Sequence, residues 1–448
     1  MRRSFRTFTD RAFTACALLA MAVMASFLFI VLVPILWRGL GAYVFQGTVE
    51  HRRMLMGEFN RGSEESLAAE LKEVRQARAP VYQALEAFEK ELAEMPASRR
   101  KELRPVFQSV RDGVASLLGS MPGEPLPALP RRIYGKTRWD QARHGARLIL
   151  FEEVWEHDDD GSHRRLEPRK ALFAGTALEP LFDLLEEKNL RRLMRPRLTL
   201  YARFLTDVSV DAHFFGGIGP EVMGTFYLAL GAMLIAVPLG LIAAIYFQEY
   251  AKGGPTMAFL RSCVNTLAGV PSIVFGLFGL AFFINTIKVS PGKSVLAGAL
   301  TLSLLVLPTV IRAAEEAIAA VPQSYKEGAL ALGAGKWHTI MTVILPAALP
   351  GILTGIVISM GRAAGETAPI IFTAAVSVGK MVKASELFVM PTPALSWNLY
   401  NLCTEHEAVD EIRHVQAGMA ATLVLIVLAL NLAAILLRAR VAKRLKGG

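Results

Sequence analysis

The sequence predicts an all-α polytopic membrane protein with six transmembrane helices and one large polar insertion. Its 448 residues are 53% hydrophobic, with a mean hydropathy of +0.38, which is more apolar than an ordinary soluble chain. Long apolar segments recur along the chain, and a helix of roughly 20 such residues can cross a bilayer because it satisfies its own backbone hydrogen bonds. Basic residues cluster at both ends of the sequence, which is typical of cytoplasmic termini.

Six apolar segments are long enough to span the membrane. The first follows Arg2, Arg3, Arg6 and Arg11 and is longer than the apolar core of about 7–15 residues in a signal peptide, so it predicts an uncleaved anchor. An even number of spans places both termini on the same side of the membrane, and the basic clusters predict that this side is the cytoplasm. The segments are residues 13–37, 222–247, 257–287, 294–311, 349–373 and 417–437.

The order of apolar and polar segments predicts four regions. Residues 1–47 form the cytoplasmic N-terminus and first transmembrane helix, and residues 48–219 form an extracytoplasmic inserted domain. Residues 220–437 carry the other five helices, and residues 438–448 form a basic cytoplasmic tail.

The inserted domain is predicted to be mostly helical or α+β. Apolar residues recur at spacings of three and four through its first half, with expected helix breaks at Pro80 and near Pro96. Its second half is compatible with short strands or with further helices, and the pattern does not choose between them.

Composition and motifs exclude several classes of function. Much of the formal net charge of +10 lies at the two ends of the chain, where anionic membrane lipid is the expected partner, and no nucleic-acid motif is present. The string His157–His163, HDDDGSH, lacks calcium-loop spacing and is predicted to be a solvated turn. No nucleotide-binding or hydrolase fingerprint occurs, so we expect no metal, no cofactor and no catalytic residue, and a separate subunit must supply any energy.

Residues 312–347 predict a cytoplasmic elbow between two spans. The segment is helical but too polar to cross a membrane, and a short helix ends at Gly333 before the chain resumes toward Leu345 and Pro346. An elbow of this kind suits a groove in a soluble partner and can pass rigid-body motion to the helices beyond it.

The fifth span contains two charged residues, Arg362 and Glu366, within the segment GRAAGETAP. Residues four apart share a helical face, and a charge at the bilayer centre costs about 2.5–3.5 kcal/mol, so both side chains should face protein or water. One interpretation is an ion pair that only fixes helix packing. The other is a substrate pathway in which Arg362 donates hydrogen bonds to a passing oxyanion and Glu366 holds the guanidinium when no anion is present.

The elbow resembles the EAA loop of ABC importer permeases, the segment that docks on the ATPase subunit. Gly328 stands where alanine is usual, and Val343 stands where isoleucine is usual. The residues that match, and to which the resemblance assigns ATPase coupling, are Glu327, Gly328, Ala329, Gly333, Leu345 and Pro346.

GRAAGETAP, together with LAGVPSIVFGLFGL at residues 267–280, resembles the PstA-type permeases of phosphate-specific transport systems. The resemblance covers residues 217–437 and implies a type I importer permease that moves inorganic phosphate, with Arg362, Glu366 and Thr367 on the substrate pathway. It also implies a multi-pass protein of the bacterial inner membrane with a PstC-type permease partner, two PstB-type ATPase subunits and an external PstS-type binding protein. The inserted domain is absent from the usual, shorter PstA-type sequence, and the resemblance assigns no function to it.

Two alternatives remain open from the sequence. The EAA elbow is common to many importers, so the chain is also compatible with a permease for another oxyanion or small solute. A membrane-bound sensor would use the inserted domain to bind a ligand, but no kinase or phosphotransfer motif accompanies it.

Overall fold

The computed structural model describes residues 2–158, 161–251 and 253–445. The chain divides into two compact units. The inserted unit contains Tyr43–Ala202 and Val210–Phe215, and the helical unit contains the chain up to Ala42, Arg203–Ser209 and everything from Gly216 onward. Each unit has its own buried apolar core.

A single long helix, α1 (Arg2–Tyr43), opens the chain. The part that qualifies as a membrane span is Ala12–Tyr43, and its large apolar side chains are exposed on the surface of the chain. An exposed apolar helix of this length suits a lipid environment, since hydrocarbon is as apolar as its side chains.

The inserted unit mixes helices with short strands, so it is α+β. Its helices are α2 (Val49–Phe59), α3 (Glu64–Glu94), α4 (Ala97–Leu118), α5 (Pro130–Tyr134), α6 (Trp139–Leu150), α7 (Glu179–Leu184) and α8 (Glu187–Met194). The strands are β1 (Val44–Gly47), β2 (Phe151–Asp158), β3 (Gly161–Pro168) and β4 (Arg197–Leu200), with 3₁₀ turns at Arg169–Phe173 and Ala202–Leu205. Two very short strands, β5 (Ser209–Val210) and β6 (Phe215–Gly216), follow.

Helix α3 corrects one sequence prediction. It continues through Pro80, where a break was expected, and ends only at Glu94, near the expected break at Pro96. A proline inside a helix removes one backbone hydrogen bond, but Val81 and Phe88 on the same helix are fully buried in the unit's core. Packing of this apolar face outweighs the local cost of the proline.

The core of the inserted unit is built from aromatic and aliphatic side chains. Phe88 lies 5.0 Å from Phe107 and 5.3 Å from Phe173, and Phe173 stacks on Phe182 at 5.7 Å, all between ring centroids. Contacts of this kind stabilise a core beyond the burial of apolar area alone.

The helical unit continues with α9 (Gly219–Ile245), and a π-helical turn, Tyr246–Tyr250, extends it. The following elements are α10 (Pro255–Gly269), α11 (Ser272–Gly279), a π-helical segment Leu280–Thr286, α12 (Val295–Ala319), α13 (Gln323–Ala331), α14 (Lys336–Thr339) and a π-helical turn Ile340–Ile344. The chain ends with α15 (Leu345–Gly365), α16 (Ala368–Thr373), a 3₁₀ turn Ala384–Glu386, α17 (Leu395–Thr404) and α18 (Arg413–Leu445).

Five continuous helical segments in the described part of the chain are long and apolar enough to cross a membrane, and one bent pair brings the total up to six. The prediction of an all-α polytopic membrane protein is therefore confirmed. The third predicted span, 257–287, is not one continuous helix: α10 and the helix that begins with α11 meet at an angle of 99°. Val270 is extended there because Pro271 disfavours helical geometry in the residue before it.

Helices α9, α12 and α15 form the centre of the helical unit, and small residues let them approach closely. A Cβ added at Gly240 would lie 2.7 Å from a methyl group of Val310, and one added at Gly355 would lie 2.2 Å from the Cβ of Ala313. Close backbone contact of this kind is a main source of packing energy between membrane helices, where the hydrophobic effect is weak.

Candidate functional site

The segment GRAAGETAP lies at a break between two helices. Helix α15 ends at Gly365, Glu366 is extended (φ −75°, ψ 130°), and α16 begins at Ala368. Pro369 accounts for the break, because it has no N–H and its ring would collide with the carbonyl of the residue four positions before it. The predicted span 349–373 therefore differs from the continuous candidate span, which is Lys336–Gly365, and Glu366 directly follows that span.

Arg362 and Glu366 meet across this break. The Arg362 Nε donates to Glu366 Oε1 at 3.3 Å, and the two side chains are 49% and 20% exposed. The Nη groups of Arg362 make no hydrogen bond to any described residue. Most of the guanidinium fork is therefore available to a group outside this chain, and the single contact holds the side chain beside the carboxylate.

Thr367 completes the predicted pathway group. It is half-buried at the start of α16 and its side chain does not cap that helix. The structure thus brings Arg362, Glu366 and Thr367 together at one interruption of the backbone.

Helix α11 supports the break from one side. A Cβ at Gly276 would lie 2.9 Å from the Ala368 carbonyl oxygen, and one at Gly279 would lie 2.2 Å from Thr301 Oγ1. Any larger residue at either position would push α11 away from α16 or α12. The glycines of the segment at residues 267–280 thus allow the contacts that fix the broken helix in place.

The predicted elbow forms a helix, a turn and a second helix, α13 and α14. Gly333 has φ +87°, a left-handed conformation that glycine adopts without the strain other residues incur. Glu327, Gly328 and Gly333 are exposed, Ala329 is half-buried on α13, and Leu345 and Pro346 are half-buried at the start of α15. The spacing of these residues in the sequence therefore corresponds to one surface elbow and the first turn of α15.

Large apolar side chains are exposed on the elbow. Leu332 is 91% exposed, and Tyr325, Leu330 and Trp337 are also exposed. Tyr325, Leu330 and Leu332 precede the candidate span Lys336–Gly365, and Trp337 lies at its start. An exposed apolar cluster of this kind is typical of a protein interaction surface.

The inserted unit contains a buried ion pair that the sequence did not indicate. Arg78 Nη1 donates to Glu50 Oε1 at 2.8 Å, and the same guanidinium donates to the carbonyls of Leu193 and Leu118. Desolvation by burial raises the pKa of Glu50, while Arg78 and Arg53 act in the opposite direction. The pair joins the start of α2 to α3 and α8, and removal of one partner alone would leave a buried charge uncompensated.

Two further observations concern sequence predictions. Asp159 and Asp160 of the HDDDGSH string lie outside the described residues, as do the side chains of its other residues, so the solvated turn stays a prediction. The sequence analysis also missed the contact of Glu249 with Lys326 of the elbow and the contact of Ser396 with Glu366 at the break. In each contact the two partners lie far apart in the sequence.

Comparison with known proteins matches residues 236–447 to the family described as binding-protein-dependent transport system inner membrane component. A probable ABC transporter permease protein, YqgI of Bacillus subtilis, is 35% identical over 54% of this chain and 85% of that protein. Phosphate transport system permease protein PstA 1 of Mycobacterium tuberculosis is 39% identical over 50% of this chain and 71% of that protein. Its counterpart PstA of Mycobacterium leprae is 36% identical over 52% and 74%.

Among solved structures, an inward-facing MetNI methionine ABC transporter chain matches at 19% identity with a TM-score of 0.37. The match covers 50% of this chain and 94% of that chain. The family match begins at residue 236, C-terminal to the inserted unit.

Proposed function

Because the chain belongs to the family of binding-protein-dependent transport system inner membrane components, we propose that it is the permease subunit that moves inorganic phosphate into the cytoplasm. Members of this family are transport subunits and not enzymes, and they work with a separate ATPase and a substrate-binding protein. The half-exposed guanidinium of Arg362 at the helix break is the observation that carries the substrate assignment.

Phosphate suits this site for chemical reasons. A guanidinium presents a planar fork of donors that matches two oxygens of a tetrahedral oxyanion. The Glu366 carboxylate, 3.3 Å from Nε of Arg362, repels an anion and keeps its binding weak, as a conduit requires if the substrate is to leave. The names of the mycobacterial relatives support phosphate over other oxyanions.

Other tetrahedral oxyanions are candidate substrates for the same chemical reason. Sulfate and arsenate are also tetrahedral oxyanions, and the guanidinium fork does not distinguish them from phosphate. We therefore propose that the external binding protein selects phosphate before it reaches Arg362.

We further propose a topology with both termini in the cytoplasm and the inserted unit outside the membrane. The basic residues that follow the apolar segment 417–437, Arg438, Arg440 and Lys443 among them, support a cytoplasmic C-terminus. With six crossings the N-terminus lies on the same side, and the elbow between the fourth and fifth spans also faces the cytoplasm.

The proposed assembly contains a PstC-type permease, two PstB-type ATPase subunits and an external PstS-type binding protein, with lipid around the spans. The exposed apolar residues of the elbow, above all Leu332 and Trp337, support docking of the ATPase at this surface. Glu327 adds a charged group to the same exposed surface.

The test is uptake of radiolabelled phosphate at low external phosphate in cells that lack their own copy of the chain. We expect wild type to restore uptake and Arg362→Ala to abolish it while ATPase binding persists. Glu327→Lys should weaken ATPase binding, measured by co-purification. Arg438→Ala removes an exposed arginine outside the proposed site, and it should leave uptake unchanged.

Each variant must first be found in the membrane at the wild-type level. Normal phosphate uptake with Arg362→Ala would remove Arg362 from the pathway. Normal uptake in cells without the chain, or uptake of sulfate in place of phosphate, would overturn the phosphate assignment.

A further inference from the structure

An ion pair fastens the elbow to the end of α9. Glu249, on the π-helical turn Tyr246–Tyr250, accepts a hydrogen bond from Lys326 of α13, with 2.5 Å between Oε2 and Nζ. The Glu249 side chain is only 8% exposed and the Lys326 side chain 26% exposed. Partial burial reduces solvent screening, so this pair is stronger than an ordinary surface ion pair.

The other limb of the elbow contacts the same turn. Lys336, at the start of α14, lies with its Nζ 4.7 Å from the centre of the Tyr250 ring, a cation–π contact. Lysines from both limbs therefore contact neighbouring residues, Glu249 and Tyr250. Apolar packing of Ile245 with Ile340 and Ile344 adds to this connection.

The opposite end of α9 is fastened to α17. Asn398 Nδ2 donates to Glu221 Oε1 at 3.0 Å, and the Leu395 backbone N–H donates to Thr225 Oγ1 at 2.9 Å. Glu221, Thr225 and Asn398 are almost fully buried. Buried polar contacts of this kind hold two elements in one arrangement, because breaking them leaves unsatisfied groups.

Helix α17 in turn contacts the helix break. Ser396 Oγ donates to the backbone carbonyl of Glu366 at 3.0 Å. Glu366 is the extended residue between α15 and α16, so its carbonyl lies outside the regular backbone hydrogen bonds of α15. Ser396 therefore positions the residue whose carboxylate pairs with Arg362.

We propose that α9 is a rigid link that transmits movement of the elbow to the break at Glu366, through Lys326–Glu249 at one end and Ser396 at the other. The inference rests on the proposed function, in which the elbow receives motion from the ATPase. With its π-helical turn, α9 spans 32 residues, about 48 Å at the helical rise. Gly231 and Gly240 of α9 pack directly on α12, so α9 moves as a packed body with discrete positions.

The test uses the complete transporter reconstituted in proteoliposomes, with phosphate-loaded binding protein, and measures phosphate transported per ATP hydrolysed. We expect Glu249→Lys and Lys326→Glu each to lower this ratio about tenfold, within the usual range of coupling between sites. The double variant with the charges exchanged restores the pair and should regain most of the ratio. Reversal of an exposed ion-pair residue elsewhere, Arg413→Glu, should leave it unchanged.

A double-mutant cycle tests whether both ends belong to one link. Ser396→Ala should lower the ratio, and adding it to Lys326→Glu should produce little further loss, because the link is already broken. Fully additive losses would overturn the inference, as would equal transport per ATP in wild type and both single charge variants. Absence of phosphate transport by the wild-type complex would instead overturn the proposed function.

Discussion

Acid should destabilise the inserted unit through His51. This side chain is 2% exposed and packs against the rings of Phe45, Tyr201 and Phe215, with centroid distances of 5.1, 6.0 and 5.2 Å. Its Nε2 has no hydrogen-bond partner among the described residues. Burial, followed by the charges of Arg138 and Arg52, lowers the pKa of His51 to about 3.

The size of the effect follows from linkage. The unfolded chain takes up a proton near the ordinary histidine pKa of 6.5, while the folded unit resists it down to about 3. The stability that His51 contributes is therefore complete above pH 6.5 and is lost progressively as the pH falls toward 3. At pH 5 the loss is about 2 kcal/mol, or about a 30-fold increase in the opening equilibrium.

Hydrogen exchange of the full chain in lipid nanodiscs measures this opening. The most protected amides of α2, corrected for the intrinsic exchange rate, should exchange about 30-fold faster at pH 5 than at pH 7. His51→Phe keeps an aromatic ring without a titrating group and should remove most of the increase. Glu50 has a raised pKa and thus the opposite pH dependence, so the comparison of the two proteins isolates the histidine.

His144→Gln, at an exposed position of α6, is the matched control and should retain the wild-type pH dependence. An equal acid-induced increase in wild type and His51→Phe would refute the reasoning, since the proton would then be taken up elsewhere.

Three other changes to the chain test docking of the ATPase, helix packing and the inserted unit. Leu332→Asp places a charge on the exposed tip of the elbow and should reduce ATPase co-purification about tenfold, the effect of losing an interface anchor, without lowering membrane levels. Gly355→Val would collide with Ala313 and should lower the thermal stability of the helical unit, by about 1–3 kcal/mol in unfolding free energy, whereas Gly269→Ala meets no atom within 4 Å and should not. Replacing residues 48–196 with Asn-Gly should leave a chain that inserts into the membrane and copurifies with the ATPase, because the helical unit has its own core.

The sequence predicted the membrane helices because their signal is local: a long apolar run has few alternatives to a transmembrane helix. The bend at Val270–Pro271 and the interruption at Glu366 had local signals too, since a proline follows each of them. Proline alone was insufficient, as Pro80 lies inside an unbroken α3. Whether a proline ends a helix depends on the packing around it, and sequence order does not reveal that packing.

The candidate site was predictable only in part, for the same reason. Arg362 and Glu366 are four residues apart, so their proximity follows from helical geometry. Ser396 and Glu366 are 30 residues apart, and Lys326 and Glu249 are 77 residues apart. Contacts at such separations arise from the tertiary fold, and neither residue type nor local spacing indicates them.

The ends of the inserted unit explain how the chain accommodates so large an insertion. Strand β1 pairs antiparallel with β4, so that Gly47 lies opposite Arg197, and the Tyr201 backbone N–H donates to the Tyr43 carbonyl at 2.7 Å. The chain therefore enters and leaves the unit at neighbouring points, which is the geometry in which domain insertions are tolerated. The insertion occupies the connection between two candidate spans, Ala12–Tyr43 and Gly219–Tyr250. The insertion is thus compatible with the family fold even though the family match begins after it, at residue 236.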